Sequence, residues 1–532
     1  MTKKTNLFAN LNSDFASGLV VFLVALPLCL GIALASGAPL FSGIISGIIG
    51  GIIVGFLSKS HLSVSGPAAG LTAIVLTAIT TLGDFRLFLL AVFIAGILQI
   101  ILGFIKAGSI SSYFPNNVIE GMLAGIGVII FLKQIPHAVG YDKDYEGDLS
   151  FLQSDGENTF SELFAVLGNI QLGAVIITIV SLSIIIIWNK VPFLKSLKLV
   201  PAALVAVISG ILINQFFISS GSNLAISGEH LVNLPVPKSL GEFQNIFILP
   251  DFSGISNKQV WTVAVTIAIV ASIETLLCIE AADKMDIHKR YTDTNVELKA
   301  QGIGNVVSAL LGGLPMTSVV VRTTANASAG AQSKMSAIIH GVLLLVCAVS
   351  IPFLLNKIPL ATLAAILLLI GYKLANPKTL KHFFEKGKYQ FIPFIATLLA
   401  VVFTDLLKGV ALGMIISVVF ILKGNMQRAY KFRKEELHDG DVIHVDLAQE
   451  VSFLNKAAIK STLASIPENS KVIINATETV YIAHDVLDLI KDFKKIRSKE
   501  ENIKVKLVGF KKAYGLVDTG EEEKHVFVEH KS

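Results

Sequence analysis

The chain of 532 residues is 53% hydrophobic and only 16% charged, and its mean hydropathy is +0.69. Soluble domains carry about 25% charged residues, so this composition predicts a polytopic protein embedded in a lipid bilayer. The formal net charge of +5 is too small to indicate a nucleic-acid partner. The three cysteines lie in apolar segments and form neither a disulfide framework nor a metal-ligand spacing, so no metal or other cofactor is expected.

Apolar segments near the length of about 20 residues that crosses a bilayer follow one another from residue 14 to about residue 430. The first series, within residues 14–217, contains Phe15–Ala35, Phe41–Leu57, Leu87–Phe104, Val118–Leu132, Gly173–Trp188 and Leu199–Phe217. The second, within residues 259–425, contains Val260–Ala281, Glu297–Leu311, Ser336–Leu355, Ala361–Leu374, Phe391–Phe403 and Leu406–Leu422. A shorter, interrupted segment stands third in each series, at Ser65–Ile79 and after Pro315. Counting both predicts seven plus seven transmembrane segments.

Loop charges predict the orientation of these segments. Lysines dominate Asn189–Lys198 and Gly371–Gln390, whereas His137–Glu162 is acidic. Because lysine-rich loops stay in the cytoplasm, fourteen spans place both termini inside and the loop around Asp144 outside, as in a multi-pass protein of a bacterial inner membrane. Residues 1–13 would be cytoplasmic and residues 218–258 an extracytoplasmic connection. Seven spans per series invert the second repeat, and paired interrupted segments are typical of inverted-repeat transporters.

The composition changes after Arg428. Residues 426–440 read as a charged linker, and residues 441–515 alternate short strands (VIHVDL, KVIINA, KVKLVGF) with amphipathic helices at Leu454–Ser465 and Ala483–Ile496. This alternation predicts a small cytoplasmic α/β domain. Residues 516–532 are expected to be disordered.

The stretch Gly312–Gly330, GGLPMTSVVVRTTANASAG, is the clearest candidate for a functional site. Its glycine pair and Pro315 break a helix, and a new short helix is predicted to begin in the run Ser318–Val321. Arg322 lies in this helix. A charge at membrane depth costs roughly 3 kcal/mol or more, so Arg322 should face a binding site rather than lipid. The alternative is an arginine that snorkels from an ordinary helix end.

The two interrupted segments together predict an anion site. If the short helices after Pro67 and Pro315 face each other, their free amides and dipoles attract an anion, and small side chains let the anion approach the backbone. Arg322 would add a positive charge or balance Glu274. The predicted anion-binding residues are Ala68, Ala69, Gly70, Ser318, Val319, Val320 and Arg322, with Ile32 of the first span as an apolar wall.

Glu274 lies near the middle of the eighth span. A buried carboxylate without a partner favours its protonated form, which suits proton coupling, and with further oxygen ligands it also suits cation coupling. The alternative is a structural carboxylate that is hydrogen-bonded to a neighbouring span. Thr72 offers a hydroxyl group in the third span, which is a weak signal alone.

Four motifs resemble the signatures of the SulP family of inorganic anion transporters: SGPAAGLTAIV, IETLLCIEAADKM, ELKAQGIGNVVSALLGGLP and VRTTANASAGAQSKMSAIIHG. The C-terminal domain resembles the STAS domain of that family. The resemblance implies two inverted repeats that form a core domain (spans 1–4 and 8–11) and a gate domain (5–7 and 12–14), with the anion held between the short helices. It also implies elevator-like alternating access, a homodimer, and sulfate, bicarbonate or chloride as substrate.

Departures from the family pattern bear on coupling. Sodium-coupled bicarbonate members use hydroxyl ligands at positions that match Cys278 and Val320 here, next to Glu274 and Thr72. Because a thiol is a poor ligand for a hard cation, we expect transport to be linked to H+ or uncoupled. The alternatives are a sodium-coupled bicarbonate symporter (Na+) and an anion channel or chloride/bicarbonate exchanger of the same fold. In the STAS-like domain, the sequence YIAHDVL stands in place of the usual Asp-Ser-Thr turn. The chain has no HExxH, CxxC or P-loop motif, which are typical of enzymes.

Overall fold

The computed structural model describes residues 10–144, 151–153, 157–195, 200–234, 246–427, 430–435, 442–511 and 514. The chain divides into two compact units, Met1–Met414 and Ile415–Ser532. This division lies inside the last long helix, somewhat before the predicted boundary after residue 425. The predicted disordered tail, residues 516–532, and most of the predicted N-terminal segment lie outside the described residues.

The first unit is helical. Its principal helices are α1 Leu11–Ala35, α2 Leu40–Leu57, α3 Thr72–Leu82, α4 Phe85–Phe104, α5 Asn116–Ala138, α6 Leu172–Lys190, α7 Ala202–Ser219, α8 Lys258–Met285, α9 Thr294–Leu310, α10 Val320–Ser328, α11 Met335–Ser350, α12 Leu360–Leu374 and α13 Lys388–Phe403, and α14 Leu406–Gln427 crosses the division. Nine helices of the described chain are long and apolar enough to cross a membrane. The multi-pass architecture is therefore confirmed, and the total of fourteen spans stays a prediction.

Helix α5 is longer than predicted: it continues to Ala138 rather than ending at Leu132. Its last two turns carry Lys133, Gln134 and His137, all of them buried. A prediction from hydropathy ends a transmembrane span where polar residues of this kind begin. Here they lie against protein rather than lipid, so the helix continues.

The helices pack in two groups. One group contains α1 to α4 and α8 to α11, with α9 against α4 and α11 against α1. The other contains α5, α6, α7, α12 and α13, with α5 against α12 and α13. These are the helices that the resemblance assigns to the core and, apart from α14, to the gate.

The two interrupted segments are joined by a short antiparallel sheet of β1, Ser65–Pro67, and β2, Met316–Ser318. The sequence analysis expected short helices after Pro67 and Pro315 but did not predict the strands. The helix after Pro67, α3, begins at Thr72, and α10 begins at Val320, inside the predicted run Ser318–Val321. The physical reason is proline. The residue before each proline is disfavoured from helical geometry, so Gly66 and Leu314 lead into extended backbone. The strand pairing then satisfies backbone groups that are buried away from water.

The second unit contains a four-stranded sheet in the order β3–β4–β6–β8, formed by Tyr430–Glu435, Val442–Leu447, Lys471–Asn475 and Lys504–Val508. β3 is antiparallel to β4, and the other neighbours are parallel. A second pair joins β5, Glu450–Val451, to β7, Tyr481–Ile482. The longest helices that follow β3 are α15 Lys456–Ala464 and α16 His484–Asp492. The predicted strands are present, but part of the predicted linker is wrong, because β3 pairs there with β4.

Candidate functional site

A cavity of about 90 Å³ lies between the two helix groups. A water molecule needs on the order of 10–15 Å³ of such space, so the cavity can hold several waters or one small polyatomic anion. The two stretches that each interrupt a transmembrane segment are called the chain breaks, residues 65–71 before α3 and residues 312–319 before α10. One wall of the cavity is formed by the chain breaks and the start of α10, by α1 and by α8. It contains Leu28, Ile32, Ala69, Gly70, Glu274 and Val319 to Arg322. The opposite wall is apolar near these residues and contains Ile126, Ile129, Ile130, Leu367 and Val401.

The structure brings together most of the predicted site residues. The ones that line the cavity are Ile32, Ala69, Gly70, Glu274, Val319, Val320 and Arg322. Ala68, Thr72, Ser318 and Cys278 are not among the lining residues. The Ser318 hydroxyl instead donates to the Cys278 sulfur at 2.9 Å and lies 2.5 Å from the Ser63 hydroxyl. Ser318 and Cys278 therefore tie β2 to α8 behind the cavity.

The N-terminus of α10 supplies free backbone donors to the cavity. The first bond of the helix runs from the Thr323 amide to the Val319 carbonyl at 2.9 Å. The amides that begin a helix have no intrahelical acceptor and carry the positive end of the helix dipole. Val320, Val321 and Arg322 contribute these amides and line the cavity. The local field therefore favours an anion.

Glu274 lies on the same side of the cavity, only 5% exposed. Its carboxylate accepts a hydrogen bond from the Gly70 backbone amide. Its second oxygen, Oε2, has no hydrogen-bond partner among the described residues. Glu274 is therefore packed against the first chain break and retains one oxygen for a proton or a ligand.

Arg322 is fully buried, and its Nη2 donates to the Cys29 sulfur at 3.2 Å. Within the described part of the chain, Nε and Nη1 have no hydrogen-bond partner. A β-carbon at Gly66 would lie 2.0 Å from Nη1, so only glycine leaves room for the guanidinium. The side chain thus extends behind β1 rather than toward Glu274, and its positive charge acts on the cavity through the low-dielectric core.

A row of polar side chains on α9, called the polar ladder, forms hydrogen bonds to both chain breaks. It consists of Gln301, Asn305 and Ser308, and the sequence analysis missed its role. The Asn305 Oδ1 accepts from the Met316 amide at 2.7 Å. The Gln301 Nε2 donates to the Ser65 hydroxyl at 2.5 Å, and the Ser308 hydroxyl donates to the Leu314 carbonyl at 2.8 Å. Polar residues spaced by three or four along an apolar helix share one face, and that spacing was the available signal.

Ionisable residues at the far end of the same cavity were also missed. Lys133 of α5 and Glu162, on the short helix Thr159–Ala165, both line it. The Lys133 Nζ lies 3.5 Å from the Glu162 Oε2, and both side chains are buried. The sequence analysis treated Glu162 only as part of an acidic loop. Their approach depends on the packing of the helix Thr159–Ala165 against α5.

Near this end, Asp142 bridges two histidines. Its two oxygens lie 2.6 Å from the Nδ1 atoms of His137 and His230. Burial alone would raise the pKa of Asp142, but the hydrogen bonds from the two histidines outweigh it and hold that pKa below its usual range. The hydrogen bond to Asp142 raises the pKa of His230. The cluster joins the end of α5 to the connection that follows α7.

The chain is similar in sequence to a known protein family and to individual proteins. The profile of the sulfate permease family matches residues 11–397. The chain is 30% identical to the protein YvdB of Bacillus subtilis over 428 residues, which cover 80% of this chain and 76% of that protein. It is 26% identical to the "Bicarbonate transporter BicA" of Picosynechococcus sp. over 444 residues, which cover 82% and 74%.

Solved structures share the fold at low identity. The murine Solute Carrier 26 family member A9 anion transporter, in its inward-facing state, matches with a TM-score of 0.64 and 14% identity, over 96% of this chain and 86% of that one. The transmembrane domain of the cyanobacterium bicarbonate transporter BicA matches with a TM-score of 0.52 and 22% identity, over 77% and 98%. The family profile, which covers most of the helical unit, and the 30% identity to YvdB show that the chain belongs to the sulfate permease family.

Proposed function

We propose that the protein is a secondary active carrier of a small inorganic oxyanion, sulfate or bicarbonate, and that Glu274 links this transport to protons. The observation that carries the proposal is the convergence of two chain breaks on one cavity between two helix groups. The cavity is lined by Ala69, Gly70 and the first residues of α10, whose amides have no intrahelical acceptor. Such sites bind anions through backbone donors and helix dipoles. The family to which the chain belongs supports the same class of function.

Proton linkage follows from the position of Glu274 beside the anion site. An ionised carboxylate at the cavity would repel an anion, whereas a protonated carboxyl group can donate a hydrogen bond to it. Anion and proton would then each favour the binding of the other. The cationic side chain of Arg322 offsets part of the charge that the anion brings into the core.

The arrangement around Glu274 favours a proton over sodium. Thr72 and Cys278 are absent from the residues that line the cavity. The Cys278 sulfur accepts a hydrogen bond from Ser318 and lies 3.6 Å from the Thr323 hydroxyl. Sodium prefers several hard oxygen ligands, and Glu274 alone supplies too few.

Transport in proteoliposomes tests the function. Uptake of labelled sulfate and of labelled bicarbonate is measured with a pH gradient and a sodium gradient imposed in turn. We expect uptake of at least one anion that an inward proton gradient accelerates and that replacement of sodium by potassium leaves unchanged. Loss of uptake on sodium removal would instead support a sodium-coupled bicarbonate symporter. Flux without accumulation under any gradient would support a channel, and chloride-dependent flux an exchanger.

We also propose that the first helix group moves as the core and the second as the gate, in a homodimer with both termini in the cytoplasm. The lysine-rich segment near α12 and the acidic loop after α5 support this orientation. The parallel strand order of β4, β6 and β8 supports a STAS-like fold for the second unit. Single cysteines at Asp144 and Lys381 should react with impermeant reagents from opposite sides of the membrane. Reaction of both from one side would contradict the topology.

A further inference from the structure

The cavity does not end at the proposed central site. One stripe of α5 lines it from Ile126 through Ile130, Lys133 and Gln134 to His137. At 1.5 Å of rise per residue, this stripe extends roughly 16 Å along the helix. The cavity therefore connects the chain breaks with the end of α5 that carries the acidic loop. An anion that uses this path passes Lys133.

Lys133 is suited to hold that anion. Its side chain is only 6% exposed, and it points into the cavity. An ammonium group has three donors, and the described residues place one acceptor near it, the Glu162 Oε2 at 3.5 Å. That separation is long for a hydrogen bond between charged groups, which is normally about 2.7–2.9 Å. A buried cation with such weak pairing retains most of its capacity to bind an anion.

Glu162 has a second, closer partner. The Gln153 Nε2 donates to the same Oε2 at 2.6 Å. Asn158 caps the short helix that carries Glu162, so the backbone of this carboxylate is fixed. Glu162 can therefore lose the contact with Lys133 and keep the contact with Gln153. The Glu162 carboxylate therefore competes with an incoming anion for the ammonium group of Lys133.

Other charges at this end make the lysine more important. Asp144 and Asp405 also line the cavity there, and the Asp405 carboxylate is paired with Lys408 at 2.8 Å. These carboxylates repel an approaching anion. The positive charge of Lys133 opposes this repulsion.

We propose that Lys133 forms an outer anion-binding site on the access path, where an inorganic oxyanion displaces the carboxylate of Glu162 before it moves to the central site. This proposal rests on the proposed transport function and adds to it a second site. It makes Lys133 a substrate-contacting residue and Glu162 its internal competitor.

A double-mutant design tests the site in proteoliposomes, with labelled sulfate and bicarbonate as the probes. K133Q should raise KM about tenfold, the factor that 1.4 kcal/mol corresponds to, with a smaller change in kcat. K133R should stay near wild type, because it keeps the charge. E162Q should lower KM, because it removes the competitor. Replacement of the exposed Lys190 by glutamine is the matched control and should change nothing.

The double variant K133Q/E162Q separates anion binding from a merely structural ion pair. If Lys133 binds the anion, KM stays high when both charges are removed. If Lys133 only neutralises Glu162, the double variant regains the wild-type KM, and that result overturns the proposal. The double variant leaves no unpaired charge, so it also serves if K133Q fails to fold.

Anion-dependent thermal stabilisation in detergent separates this proposal from the transport function. Wild-type vesicles that take up neither anion would contradict the carrier function. The outer site is then decided by melting temperatures: sulfate or bicarbonate should stabilise the wild type more than K133Q/E162Q. Equal stabilisation of both proteins would overturn the outer site, whatever the transport assay shows.

Discussion

Glu274 and Gly70 are in direct contact across the cavity wall: a β-carbon at Gly70 would lie 2.9 Å from the Glu274 Oε1. The backbone amide of Gly70 also donates a hydrogen bond to the Glu274 carboxylate. A displacement of the first chain break would therefore change the surroundings of the buried carboxylate of α8. This contact couples the proposed proton site to the proposed anion site.

Gly70→Ala should disturb this contact without unfolding the protein. The new methyl group must push the Glu274 carboxylate aside, and overpacking of this kind costs about 1–3 kcal/mol. We expect slower anion uptake and a changed pH dependence, measured in proteoliposomes. Gly168→Ala is the matched control, since a β-carbon there meets nothing within 4 Å. Wild-type uptake and pH dependence in Gly70→Ala would show that the contact has no role in coupling.

Glu274→Gln should uncouple transport from protons. Glutamine imitates the protonated carboxyl group in shape and can still donate a hydrogen bond, but it cannot ionise. We expect anion binding to be retained and the response of uptake to a pH gradient to be lost. A Glu274→Gln protein with a normal pH response would contradict proton linkage through this residue.

The combined variant Cys278→Thr/Val320→Thr introduces hydroxyl groups beside Glu274 and tests for a gain of sodium dependence. Glu274→Asp is added to this variant in a further test.

Arg322→Ala should weaken anion binding by about tenfold or more, equivalent to at least about 1.4 kcal/mol, because it removes the cation in the core behind the site. Arg322→Lys keeps the charge but loses the planar fork, and should retain part of the affinity. Binding is measured by calorimetry on the purified protein. Unchanged affinity in Arg322→Ala would make the residue purely structural.

Gly66→Ala offers an independent test of Arg322, because it leaves every charge in place. Its methyl group would meet Nη1 at 2.0 Å and must displace the guanidinium. The loss of affinity should resemble that of the Arg322 variants, and Gly168→Ala again provides the control. An affinity equal to that of the wild type would show that the position of the guanidinium is unimportant.

Asn305→Ala should destabilise the protein and weaken anion binding together. It removes the acceptor of the Met316 amide and a donor to the Gln99 Oε1, 2.6 Å away. Each buried group left without a partner costs about 1–3 kcal/mol. The melting temperature in detergent should fall clearly, whereas Thr266→Ala, which removes an exposed hydroxyl that bonds its own helix, should change it little. Equal melting temperatures for these two variants would contradict the role of the ladder.

The Asp142 cluster predicts how stability depends on pH. Since the pKa of His230 is raised in the folded state, its contribution is fully present below the unfolded value of about 6.5 and is lost as the pH rises through the folded value. The pKa of Asp142 is lowered, so its contribution is lost only in strong acid. The melting temperature should therefore fall as the pH rises above about 6.5. His230→Gln should flatten this dependence, and replacement of the exposed His382 by glutamine should not.

Most residues that line the proposed central site could be named from the sequence, because helix breaks and buried charges are features of local sequence. Proline and glycine determine where a helix breaks, so Pro67 and Pro315 marked both chain breaks. A lone arginine and a lone glutamate in apolar segments are costly unless they serve a site, so Arg322 and Glu274 could be named. Hydropathy identified most helices within a few residues, since each must cover its backbone polar groups in lipid.

Contacts between distant segments were decided only by the tertiary structure. No local pattern shows that Ser65 pairs with Ser318, that Gly66 makes room for Arg322, or that Asn305 holds Met316. Lys133 looked like the polar end of a span, and Glu162 like one acid among several in a loop. Folding placed the two 3.5 Å apart in one cavity. Burial of a charged group is costly, and a partner from a distant segment offsets part of that cost.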